Sequence, residues 1–152
     1  MAYVGMESGP HVFFALLAML VAALTLGMVY RNGNTSRTRQ LALILAILVW
    51  LSWISIAPVY MYEYGTDKAV IKSNPETAAA HSIGMETKEH VFYTGLILAT
   101  LVPMIAYGTN GESGRRLLLA VLVLIIVGGI ILDAYGAWIQ TSAKIAYALR
   151  GG

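Results

Sequence analysis

The chain has 152 residues, of which 58% are hydrophobic and 12% charged, and a formal net charge of +2. A mean hydropathy of +0.70 excludes a soluble globular domain of ordinary composition, and so small a charge gives no reason to expect a nucleic-acid partner. Without a cysteine the chain has neither disulfides nor thiolate metal ligands.

In chain order, four apolar runs approach or exceed the length that crosses a hydrocarbon core of about 30 Å: residues 12–30, 41–61, 91–107 and 117–139. The first follows Glu7 with no Lys or Arg before it and no small-residue cleavage site after it, so it is expected to stay in the mature protein. The third is short, and its helix is expected to start a turn earlier, near Thr87. None of the runs alternates apolar with polar residues, as barrel strands must. The reading is therefore all-α: an integral membrane four-helix bundle, a single domain over 1–152, multi-pass in the cell membrane and surrounded by the lipid bilayer.

Arg31, Arg37 and Arg39 fill the first short connector, and Arg115 and Arg116 close the second. The positive-inside bias is counted over such loops, which places both termini and the long connector, residues 62–89, on the non-cytoplasmic side. Within that connector Asn74-Pro75-Glu76 is a helix start, and a short helix carrying His81 and ending near Gly84 is expected. Residues 140–150 can continue the fourth helix, with Ile145, Tyr147 and Leu149 suggesting a segment lying at the interface.

A ten-residue phrase occurs twice. Gly5-Met6-Glu7-Ser8-Gly9-Pro10-His11-Val12-Phe13-Phe14 aligns with Gly84-Met85-Glu86-Thr87-Lys88-Glu89-His90-Val91-Phe92-Tyr93, identical at six of ten positions. Each copy introduces two crossings. The chain thus reads as two tandem two-helix repeats, residues 5–61 and 84–139, inserted the same way up about a pseudo-two-fold axis along the membrane normal. Aligning Arg39 with Arg115 matches Ala57 with Asp133, so the acid departs from the symmetry.

His11, His81 and His90 all fall on the outer side, with Glu7, Glu86, Asp133, Tyr60, Tyr62 and Tyr135. Asp133 is an ionisable group inside a spanning run, at a cost of roughly 2.5–3.5 kcal/mol on insertion scales, and is a functional candidate for that reason. His11 and His90 open the first and third helices, which are diagonal in an up-down-up-down bundle. There the helix dipole favours the neutral, metal-binding imidazole. Three roles are open to Glu7 and Glu86: direct ligand, acceptor for a histidine Nδ1–H, or solvated charge. Met6 and Met85 are soft donors of the kind that complete copper sites. Gly27, Gly95, Gly128 and Gly129 leave room either for a flat macrocycle or for close helix packing.

On His11 and His90, each opening a helix and followed by Val-Phe-Phe or Val-Phe-Tyr, the chain resembles the broad class of four-helix membrane b-type cytochromes. The resemblance implies a single haem b near the outer face with His11 and His90 as axial ligands, serving electron transfer with a quinol as one candidate donor. Two-haem members carry four helix histidines, and here the opposite face has none. Two other readings stand beside it. One is a non-haem iron or copper site using His11, His90, Glu7, Glu86 and His81, with Asp133, Tyr60 and Tyr135 carrying protons or orienting ligands. The other is a cofactor-free accessory subunit of a larger membrane complex. A quinol or a redox protein is the partner implied by the first.

Overall fold

The computed structural model describes residues 8–62 and 64–151. They form α1 (Gly9–Asn32), α2 (Ser36–Tyr62), α3 (Tyr64–Ser73), α4 (Pro75–Ala79), a π-helical segment (Ala80–Met85), α5 (Glu86–Gly108) and α6 (Gly111–Gly151). The protein is all-helical, and four of its helical stretches are long and apolar enough to cross a membrane. Glu7 and Met6 lie outside the described residues.

The short connectors turn tightly because the sequence supplies what each helix end needs. Gly33 takes φ 73° just past α1, where a Cβ would be strained, and its N–H closes on the Val29 carbonyl. The Arg115 guanidinium, at the start of α6, donates to the Val29 and Tyr30 carbonyls at 3.2 and 2.8 Å. At the end of α5 the Asn34 amide donates to the Ala106 and Thr109 carbonyls at 2.6 and 3.2 Å. Side chains thereby satisfy carbonyls that a helix end leaves open. Arg39 reaches Asn110 at 3.1 Å and lies over the Tyr107 ring.

Connectors this short make successive spans antiparallel. α1 packs on α2 and α6, and α5 packs on the same two, so α1 and α5 stand diagonally. Small and branched side chains fill the space between them: Ala18, Ala22 and Val29 from α1, Ala42 and Leu45 from α2, Ala99, Val102 and Ala106 from α5, and Leu118 and Leu122 from α6. Thr25 is also fully buried, its hydroxyl donating back to the Val21 carbonyl at 2.6 Å. The outward faces carry Leu16, Leu20, Leu24, Ile97, Met104 and Leu124, as lipid contact requires.

The outer end differs from the sequence expectation. α3 was not expected, because Tyr64-Gly65-Thr66-Asp67-Lys68 reads as loop; it forms by burying Tyr64, Asp67, Val70 and Ile71 on one face. The helix from Pro75, capped by the Asn74 side chain on the Glu76 N–H, does not end near Gly84. It passes through the π-helical segment into α5, and Gly84 there serves close packing rather than termination: the Trp138 ring presses against the backbone, 3.1 Å from where a Cβ would sit. The tail continues the fourth helix, as the sequence allows. α6 runs 41 residues unbroken, about 60 Å at 1.5 Å per residue, twice the hydrocarbon thickness. Its outer part packs on α3 and the π-helical segment, where Ile139 joins Ile71 and Ala80 in a second small core.

Candidate functional site

His11 enters the bundle in the first turn of α1 and meets α2. Its Nδ1 lies 2.9 Å from the Ser52 carbonyl and 2.8 Å from the Ser52 hydroxyl, which in turn donates to the His11 carbonyl at 3.2 Å. Phe92 of α5 packs on the ring, centroids 6.3 Å apart. With Nδ1 protonated toward the carbonyl, Nε2 keeps its lone pair. Lys88 of α5 and Asp133 of α6 are both within electrostatic reach of His11, and of each other. Among the described residues Lys88 and Asp133 form no direct ion pair. The Lys88 ammonium instead reaches α6 at Gly136, 3.5 Å from where a Cβ would stand. Asp133 is exposed on the bundle surface. By helical rise His11 is about 28 Å from Tyr30, near the outer limit of the hydrocarbon.

His90 is placed differently. It is exposed, and its Nδ1 lies 2.7 Å from the Glu86 carbonyl of its own helix. The reason is helical phase. His11 precedes buried Ala22 by eleven residues, about three turns, and so shares its face. His90 precedes buried Ala99 by nine, about two and a half turns, and so points away from the core. Lys88, eleven before Ala99, takes the inward place. The spacing to the core was the signal that finds Lys88, and the repeated phrase drew attention from it.

A second polar cluster stands above the bundle. The Tyr64 hydroxyl lies 2.8 Å from His81 Nδ1, and both residues are 8% exposed. Tyr60 stacks on Tyr64, centroids 5.3 Å apart and planes 16° apart, and donates to Glu89. Asp67, 6% exposed, accepts from the Tyr147 hydroxyl at 2.6 Å. Burial, with the nearby Tyr60, Glu89 and Asp67, pushes the Tyr64 phenol above its ordinary range. Glu86 is exposed, Tyr135 packs on Trp138, and Tyr62 faces outward.

A haem held by His11 and His90 needs both rings on one iron, and this arrangement does not fit it: one ring is inside and the other on the outer surface. Nor does Gly129 clear space, since the Met19 thioether fills the position a Cβ would take. Among the described residues no three His, Asp or Glu side chains converge as a metal site. What the geometry brings together is an imidazole, an ammonium and a carboxylate at the outer end of an apolar bundle. No family model, curated protein or solved structure matches the chain.

Proposed function

We propose that this chain is a multi-pass membrane protein whose work is done at its outer end, where His11, Lys88 and Asp133 form a proton-exchanging site serving electron transfer at that face. The observation that carries the reading is Lys88. A half-buried ammonium within reach of both His11 and Asp133 sits in the first turn of α5, at the edge of a spanning segment, where ionisable groups turned toward the bundle face pathways or partners. Toward the inner connectors the core is apolar, so protons exchange with the outer face alone. A one-sided site suits a step in which an electron balances the charge, rather than a channel.

Purified protein in nanodiscs, given a short-chain quinol donor and ferricyanide, should turn over well above empty nanodiscs. Lys88→Met and Asp133→Asn should each slow that turnover about tenfold or more, and His90→Ala should leave it unchanged. Turnover no faster than empty nanodiscs would sink the reading.

The same proposal takes the chain as a tandem duplication, residues 5–61 and 84–139, with both termini outside the cytoplasm. Burial supports it. A shift of 77 positions carries Ala22, Thr25 and Val29 onto Ala99, Val102 and Ala106, all fully buried. A shift of 76 carries Ala42, Leu45 and Ala46 onto Leu118, Val121 and Leu122, all buried. By the first shift Lys88 stands in the place of His11. The arginines of both short connectors support the orientation.

A second reading keeps the b-type haem. In its favour, both histidines present Nδ1 to a backbone carbonyl, at 2.9 and 2.7 Å, the arrangement that frees Nε2 in ligating histidines. It requires α5 to rotate by about half a turn, which places it second. A visible spectrum of purified protein decides: a six-coordinate haem band lost in both His11→Ala and His90→Ala supports it, and a protein without haem ends it.

A further inference from the structure

We propose that Tyr64 and Tyr60 form a one-electron relay at the outer end of the molecule, each phenol passing its proton to a base already hydrogen-bonded to it. The inference goes beyond the Lys88 site and uses none of its residues. A phenol gives up an electron readily only if its proton leaves at the same time, so a redox-active tyrosine needs a base in place and shelter from water. Tyr64 has both. Its hydroxyl meets His81 Nδ1 at 2.8 Å, and each side chain is 8% exposed.

The second tyrosine makes the pair a relay. Tyr60 lies one helical turn away across the α2–α3 junction, its ring stacked at 5.3 Å and 16° on that of Tyr64. Stacking at this distance gives the overlap that hole transfer requires. Tyr60 has its own base in Glu89, which accepts from its hydroxyl. The chain Glu89–Tyr60–Tyr64–His81 draws on α5, α2, α3 and the π-helical segment, so the fold assembles it from four separate elements.

The steps balance as follows. An external one-electron oxidant of the metal-complex class takes an electron from the Tyr64 ring. The Tyr64 O–H bond breaks and an N–H bond forms at His81 Nδ1, leaving a neutral phenoxyl and an imidazolium. Lys68 and Lys72 of α3 and Glu86 and Glu89 of α5 lie around that imidazole; the lysines oppose its new charge and the acids counter them, so the imidazolium is short-lived and ready to return its proton. An electron then passes from Tyr60 to Tyr64, which takes its proton back from His81. The Tyr60 proton moves to Glu89, and the radical rests on Tyr60, which is 44% exposed, where a partner can reach it.

The test is flash-quench oxidation of the full chain in nanodiscs by photogenerated tris-bipyridyl ruthenium(III), read by electron paramagnetic resonance. A tyrosyl signal should form with a solvent deuterium isotope effect. His81→Gln retains an acceptor for the Tyr64 hydroxyl but no base, and should slow formation about tenfold or more. Tyr64→Phe should remove most of the signal. Because Tyr64→Phe leaves His81 without its partner, 3-fluorotyrosine at position 64 is the companion probe: it keeps the shape and adds fluorine splitting to the early spectrum. An absent signal, an early spectrum without fluorine splitting, or a wild-type rate in His81→Gln would each overturn the relay.

Discussion

The inner two-thirds of the bundle and the cap above it are built on opposite principles. In the bundle, Ala22, Ala42, Ala99 and Ala106 let backbones approach, and Leu45, Leu118 and Leu122 fill what remains, with no polar side chain but Thr25 and Thr38 fully buried there among the described residues. In the cap, Asp67, Thr77, His81 and Ser142 are buried beside a small core of Ile71, Ala80 and Ile139, and hydrogen bonds between side chains join the elements. Helices surrounded by lipid associate by shape, since lipid tails are as apolar as leucine. A short polar segment exposed to water on one side needs directional bonds to choose one arrangement. The comparison sets shape-driven packing in the apolar bundle against directional bonding in the cap.

That contrast can be tested from its strongest consequence downward. Leu122→Ala, at a fully buried site, should cost about 2–5 kcal/mol in reversible unfolding, the range for leucine cavities. A value under 1 kcal/mol would mean the bundle closes over the gap and is less tightly packed than described. His11→Ala should cost about 1–3 kcal/mol, because it removes the imidazole that meets both the carbonyl and the hydroxyl of buried Ser52, while the hydroxyl keeps its bond to the backbone carbonyl of residue 11. His90→Ala should stay within about 0.5 kcal/mol as an exposed change. Equal effects would erase the distinction between the two histidines.

The cap should respond to smaller edits. A double-mutant cycle of Asp67→Asn and Tyr147→Phe should give a coupling of about 1 kcal/mol through their 2.6 Å bond, and additivity would show that the tail of α6 is not held by it. Alkaline pH is the gentlest probe. The Tyr64 phenol titrates above its ordinary value of 10.0 in the fold, so its contribution to stability is complete below pH 10 and is lost as pH rises through the raised value. Phenolate absorbance should show Tyr64 ionising above its ordinary value of 10.0, and Tyr64→Phe should remove the alkaline loss of cap protection in hydrogen exchange.

Much of this was legible in the chain. The four spans, the short arginine-bearing connectors and the helix start at Asn74-Pro75 follow from hydropathy, length and capping chemistry. The polar outer end followed from where the histidines fall. Lys88 did not, because an outer lysine beside Glu89 reads as a solvated charge until its phase against Ala99 is known. Nor did the Tyr64–His81 bond: it depends on α3, whose helical face is too short and too polar to announce itself, and on a π-helical segment whose extra residue per turn no periodicity reveals. The repeated phrase marked the polar end of the bundle but not the orientation of its second histidine, since two residues of offset turn a helix by about 200°.

α6 acts as an axle. Asp133 lies near Lys88 at the end of the bundle and Ile139 sits in the cap core, six residues apart on one uninterrupted helix, so the two regions share a fixed angular setting. One residue inserted between them would wind the cap by about 100° and raise it by about 1.5 Å. Either Ile139 would leave Ile71 and Ala80, or Asp133 would swing away from Lys88. Torque applied to the cap, by a partner seated on it or by the bending of the surrounding bilayer, is therefore delivered to the exposed Asp133 on the bundle surface without any intervening joint.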